Sequence, residues 1–100
     1  MKAEKRTLHL TLERKWFDLI ASGEKREEYR KIKPYWNKRL NKSFDVIQFR
    51  NGYQVDAPAM VVELNEVMTG LGIIEWGAPE YEKVYILKLG KIIELKNYES

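Results

Sequence analysis

A chain of 100 residues, 44% hydrophobic and 33% charged, has the size of one domain and enough apolar residues to bury a core, which excludes a disordered chain. It has no cysteine and a single histidine, His9, which removes disulfides, thiolate metal sites and cysteine nucleophiles and leaves neither an ordinary zinc site nor a Ser-His-Asp triad. A net charge of +3 and a pI near 9.1 are a mild basic bias, suited to phosphate-bearing partners.

Four of the first six residues are charged but no apolar run follows, so no signal peptide is expected. No stretch approaches the roughly 20 apolar residues of a membrane-spanning helix, and the absence of cysteine fits a reducing cytoplasm. Leu8, Leu10 and Leu12 alternate with Thr7, His9 and Thr11, the period of a half-buried strand. His9 faces away from the leucines and reads as structural. A helix follows from about Glu13 to Ser22, with Trp16, Leu19 and Ile20 on one apolar stripe and Phe17 beside it. Gly23 stops it, because glycine adopts the left-handed conformation cheaply.

Lys25 to Arg30 reads as a second strand. Lys33-Pro34 opens a second helix, with proline at its first position and Trp36 and Leu40 one turn apart toward the core. Trp16, Phe17 and Trp36 read as core residues, while Tyr35 points outward. Phe44 to Arg50 is apolar on both faces, which predicts an interior strand. Asn51-Gly52 is a turn. Ala59 to Met68 is the next strand, with Met60, Val62 and Leu64 on one face. Thr69-Gly70-Leu71-Gly72 reads as flexible, Ile73 to Trp76 as a short apolar element, and Gly77-Ala78-Pro79 as a turn. Val84 to about Leu95 is the last strand, bent or bulged at Gly90. Residues 1–100 are expected to form one α+β domain: a small mixed β-barrel flanked by two short helices.

The densest charge lies in Gly23-Glu24-Lys25-Arg26-Glu27-Glu28-Tyr29-Arg30, and the segment 25–42 holds eight Lys or Arg. On a strand, Glu28 and Arg30 share a face, and Lys25 sits at the turn after Gly23. Arginine offers a planar fork for phosphate or a base edge. Glutamate accepts from an exocyclic amine, orients the arginine, or moves a proton. Lysine binds an anion, or becomes a base or nucleophile when burial lowers its pKa. Read from composition alone, these charges are a solvated edge strand that resists aggregation. Arg50, Asn51 and Tyr53 are further candidates for a phosphate contact, a base-edge contact and a stacking ring, beside the plainer reading of Asn51-Gly52 as turn chemistry. Lys31, Lys33, Lys38, Arg39 and Lys42 line a path for a nucleic-acid backbone or simply form a soluble face.

Gly23-x-Lys25-x-x-Glu28-x-Arg30, placed after a strand and a short amphipathic helix, resembles the ASCH domain of the PUA-like superfamily. Leu8 to Leu12, Trp16-Phe17, Phe49-Arg50-Asn51-Gly52-Tyr53 and Val84 to Gly90 fall where small stand-alone members have similar segments. The resemblance implies a PUA-like β-barrel with a cleft and RNA or a nucleotide as ligand; no cofactor or metal is expected. Some small bacterial members are amidohydrolases on acetylated cytidine. Their lysine falls on Lys25, their threonine falls where this chain has Glu28, and their late glutamate corresponds to Glu75, Glu80 or Glu82, with Glu75 favoured by its neighbour Trp76.

Three functions follow as expectations. The first is an RNA- or nucleotide-binding module using Lys25, Glu28, Arg30, Arg50, Asn51 and Tyr53. The second is a hydrolase of a modified, acylated nucleoside, with Lys25 as base or nucleophile and Glu28 or Glu75 as proton partner. The third is a non-catalytic protein-interaction domain. The residues leave open whether the protein is an enzyme.

Overall fold

The structure is a computed structural model that describes residues 4–99. Five strands, β1 (Thr7–Thr11), β2 (Glu27–Lys31), β3 (Val46–Arg50), β4 (Ala59–Gly70) and β5 (Val84–Lys96), form one half-barrel sheet in the order β1-β3-β4-β5-β2. Among the described residues only the β1–β3 pair is parallel. Two helices, α1 (Arg14–Ala21) and α2 (Pro34–Arg39), and a 3₁₀ turn at Ile74–Trp76 complete the α+β architecture.

β1 sits where its period-two pattern predicts it, because that pattern supplies one apolar face, and β2 begins at Glu27, two residues later than the expected Lys25. Leu8 and Leu10 are buried while His9 and Thr11 are exposed. β3 lies inside the sheet, as its apolar residues on both faces require. Pairing does not close the sheet: among the described residues β1 and β2 are its edges. Helix α2 lies across this gap, holding β5 through Asn37, which accepts from the Tyr85 hydroxyl at 2.6 Å, and β1 through Arg39, which donates to the His9 carbonyl at 3.2 Å.

β5 carries two cores, one on each face. Leu87 and Leu89 join the main core with Leu8, Phe17, Ile47 and Phe49. Val84 and Ile86 join a smaller one with Tyr29 and Ala78. The register of β4 against β5 slips between Val62 and Leu64, opposite the stretch containing Gly90. A β-carbon at Gly90 would stand 2.6 Å from Asn65 Oδ1, so the bend expected there is a bulge with a second strand's side chain packed onto it.

Two local expectations change. The helix stripe is centred on Phe17 and Ile20, which are buried, while Trp16 is only partly so. Trp16 turns toward the loop at Gly77, where a β-carbon would come within 3.0 Å of its ring. Thr69 and Gly70 extend β4, and Gly72, expected in a flexible stretch, is packed against the ring of Tyr29. Apolar contact on both sides of that segment overrides its glycine content.

Candidate functional site

The site is assembled from the end of α1. Gly23, at φ +85°, donates its N–H to the Ile20 carbonyl at 3.0 Å, and the Lys25 N–H returns to the Leu19 carbonyl at 3.0 Å. This glycine cap directs the chain out of the helix and pins the backbone of Lys25 against it. The chain then enters β2, whose pairing with β5 sets Glu28 opposite Leu87 and Tyr29 opposite Ile86. Paired residues of antiparallel strands share a face, so Glu28 and Arg30 look toward the main core and Tyr29 and Glu27 toward the smaller one.

Among the described residues Lys25 and Glu28 are the two buried charged ones, at 3% and 6% exposure. The Lys25 ammonium stands 3.1 Å from Glu28 Oε1 and donates to the Trp76 carbonyl. It also lies over two rings, 4.7 Å from the centre of Trp16 and 5.0 Å from that of Tyr29. A carboxylate, a carbonyl and two π-faces thus replace water around one cation. Burial pushes the Lys25 pKa below the usual lysine range; Glu28 pulls it back up, and the Arg30 charge lowers it. The ammonium lies at ion-pair distance from Oε1 but outside hydrogen-bond alignment, so Oε1 has a charge partner and no directed donor.

The other carboxylate oxygen, Oε2, accepts from Arg30 Nη1, which also donates to the Tyr29 carbonyl at 2.7 Å. The Arg30 guanidinium carbon lies 5.3 Å from the Trp36 ring centre. Nε and Nη2 of Arg30 donate to nothing among the described residues. Glu28 is therefore the shared counter-ion of two cations, and Arg30 keeps two donors free.

Arg30 borders a cleft of about 330 Å³ whose walls also include Tyr29, Lys31, Lys33, Trp36 and Pro79. It combines a preset guanidinium, two aromatic residues and a basic rim. Its size lies at the lower end of small-ligand sites. Two larger hollows differ from it: one of about 460 Å³ is lined by Lys25 with Gly23, Asn65 and Lys91 and has no aromatic wall, and a shallow one of about 690 Å³ between Arg14 and Glu99 carries Tyr98 but no buried charge. Among the described residues no group of three or more His, Cys, Asp or Glu could hold a metal ion.

No protein-family model, curated protein or solved structure matches this chain. The reading of the site therefore rests on its own geometry.

Of the residues singled out in the sequence, Lys25, Glu28 and Arg30 come together, and Lys31 and Lys33 join them at the cleft. Arg50, Asn51 and Tyr53 do not. Arg50 donates to the Gly52 carbonyl at 3.3 Å and to that of Gln54, Asn51 donates to the Leu12 carbonyl at 2.9 Å, and Tyr53 is 88% exposed. Along β5, Lys88 faces Glu27 and Lys96 faces Ala59, the partner of Arg50. Eight strand residues separate the two groups by about 25 Å. Asn51 thus ties the loop after β3 to the chain just past β1. Glu75 is exposed in the 3₁₀ turn, and its neighbour Trp76 meets Lys25 through a backbone carbonyl. Glu80 is also exposed, and Glu82 pairs with Lys31 at 3.6 Å on the cleft rim. Trp16 and Trp36, read as core, are partly buried against it and also present their rings to Lys25 and Arg30.

Tyr29 is the organising residue that the sequence reading passed over. Its hydroxyl donates to Glu27 Oε1 at 2.8 Å and accepts from the Ile73 N–H at 3.0 Å; Glu27 is held by Lys88 at 2.8 Å. Tyr29 and Lys25 together fasten the loop that closes one side of the cleft. The one available signal was a tyrosine amid charges, where strand propensity alone accounted for it.

Burial holds the Tyr29 phenol well above the ordinary tyrosine range, and the Glu27 carboxylate adds to that. Its contribution to stability is complete below the unfolded pKa of about 10 and is lost as pH rises through the folded value. Tyr29→Phe should cost about 1–3 kcal/mol at neutral pH, because the Ile73 N–H loses its partner. Urea titrations repeated from pH 8 to 11 should show the wild-type stability falling above about pH 10 and the variant falling less. Parallel curves would assign the alkaline loss to other groups.

Proposed function

We propose that this protein is an ASCH-like, PUA-like domain that binds RNA or a nucleotide in the cleft beside Arg30. The observation that carries the reading is Arg30, its guanidinium oriented by buried Glu28 and by the Tyr29 carbonyl, on the wall of a cleft that Trp36 and Lys33 also line. A guanidinium held before the ligand arrives loses little freedom on binding. Aromatic walls take the face of a base, and the lysines take phosphate. Glu28 acts here as the anchor of the arginine.

The alternative, hydrolysis of an acylated nucleoside, draws support from the lowered pKa of Lys25 beside Glu28. Both groups are nearly sealed from solvent, and the lysine is engaged by Glu28 and the Trp76 carbonyl. A substrate would have to displace those partners to be attacked, so binding is the stronger reading.

Three cations on the cleft, Arg30, Lys31 and Lys33, predict a log-log salt slope near −2 for a short single-stranded RNA, or about a 20-fold loss of affinity between about 50 and 200 mM salt. Lys33→Ala, an exposed change, should flatten that slope by about 0.7. Fluorescence anisotropy of a labelled oligonucleotide measures both. An affinity that does not change with salt would overturn the reading.

A further inference from the structure

We propose that Tyr81 is a base-stacking platform on the rim of the cleft, so that the ligand is a strand of at least two nucleotides rather than a lone nucleotide. The proposal rests on the nucleotide-binding reading of the cleft and adds a second contact outside it.

Pro79 and Val84 both line the cleft, so the residues between them form its lip. Tyr81 stands in the middle of that lip with φ +59° and 90% of its surface exposed. The left-handed region is strained for an L side chain and is ordinarily filled by glycine, asparagine or aspartate. The one other non-glycine residue with positive φ among the described residues is Asn97, a type that tolerates it. A tyrosine in this position gains nothing from burial, and a glycine would make the same turn with less strain. Such outliers collect at ligand-binding sites, where the surrounding structure holds them. Glu82, next in the chain, pairs with Lys31 of β2 at 3.6 Å, which sets the lip beside the basic side of the cleft.

Tyrosine presents a flat, rigid surface with few rotatable bonds, so little freedom is lost when a base covers it. Stacking of this kind tolerates any base. A strand whose one base enters the cleft, with its phosphate at Lys31 or Lys33, carries its neighbouring base outward over the lip, where Tyr81 stands.

Tyr81→Gly tests this, because glycine suits the left-handed backbone and the fold is retained; a thermal melt verifies it. Binding of adenosine monophosphate and of a short oligoadenylate is measured for the wild type, Tyr81→Gly and Tyr81→Phe. The expected result is equal monophosphate affinity in all three, oligoadenylate affinity lowered about 5- to 100-fold in Tyr81→Gly, and wild-type oligoadenylate affinity in Tyr81→Phe, which keeps the ring. Equal oligoadenylate affinity for wild type and Tyr81→Gly would overturn the proposal and leave the cleft reading standing. Equal loss of both ligands in Tyr81→Gly would also overturn it, since the ring would then act within the cleft. If the wild type bound neither ligand, the cleft reading would fail, and the proposal with it.

Discussion

Glu28→Ala should lower the unfolding free energy by about 3–5 kcal/mol, the loss expected when one partner of a buried ionic cluster is removed. The magnitude follows from what is left behind. Lys25, at 3% exposure, would keep its charge beside the Trp76 carbonyl and two rings but lose its carboxylate partner. Arg30, whose side chain is 17% exposed, would lose the group that orients it. Urea denaturation should show the midpoint falling with the slope unchanged. The companion variant Lys25→Met/Glu28→Leu/Arg30→Met removes every member of the cluster and should recover most of that stability, because a well-packed apolar replacement of a buried ion pair is often neutral. The triple variant should still lose ligand. A loss below about 0.5 kcal/mol for Glu28→Ala would mean that the cluster is the solvated edge which composition alone suggests.

Gly72→Ala should have the second-largest effect on stability. A β-carbon there would lie 2.5 Å from Cε1 of Tyr29, 2.8 Å from its Cζ and 2.7 Å from the β-carbon of Ala78. Tyr29 and Ala78 are both buried, so neither can step aside into solvent. Overpacking of this kind costs about 1–3 kcal/mol. The same added methyl at Gly23 meets nothing within 4 Å, and its expense there is only the left-handed backbone, φ +85°. Because Gly72 and Tyr29 share one contact, Gly72→Ala and Tyr29→Phe should fail to add in a double-mutant cycle. Additive losses would show that the loop does not depend on that contact.

Both expectations concern the same feature. The buried charges of β2 and the loop after β4 are mutually dependent: Tyr29 accepts the Ile73 N–H, Lys25 donates to the Trp76 carbonyl, and the loop supplies Pro79 to the cleft. Cleft and fold are therefore stabilised by the same few contacts. Variants of Lys25, Glu28 or Tyr29 need a stability measurement beside every binding measurement, whereas Lys33→Ala and Tyr81→Gly act from the surface.

Much of this protein could be read along the chain because the signals are local. The alternation Thr7 to Leu12 fixes which leucines go inward. Gly23 ends α1 because it takes φ +85°, and Pro34 begins α2 at a position where its missing N–H does no harm. The two-residue repeat puts Glu28 and Arg30 on one face, and they do share an ion pair. Such rules involve neighbours a few residues apart, and they hold whatever the remainder of the fold does.

The surroundings of those charges follow from no local rule. Lys25 finds its carbonyl at Trp76, 51 residues on, and Tyr29 finds the Ile73 N–H 44 residues on. Both depend on β2 pairing with β5, a choice driven by burial of apolar faces scattered along the whole chain. The same pairing order puts Arg50, Asn51 and Tyr53 at the far end of the sheet, although the sequence had grouped them with Lys25 by chemistry. Gly23 to Arg30 announces a dense group of charges in an otherwise ordinary chain. That this group is buried, that Glu28 is shared by two cations, and that Arg30 stands on the wall of a cleft are consequences of packing, because desolvation and long-range pairing have no counterpart in the order of residues.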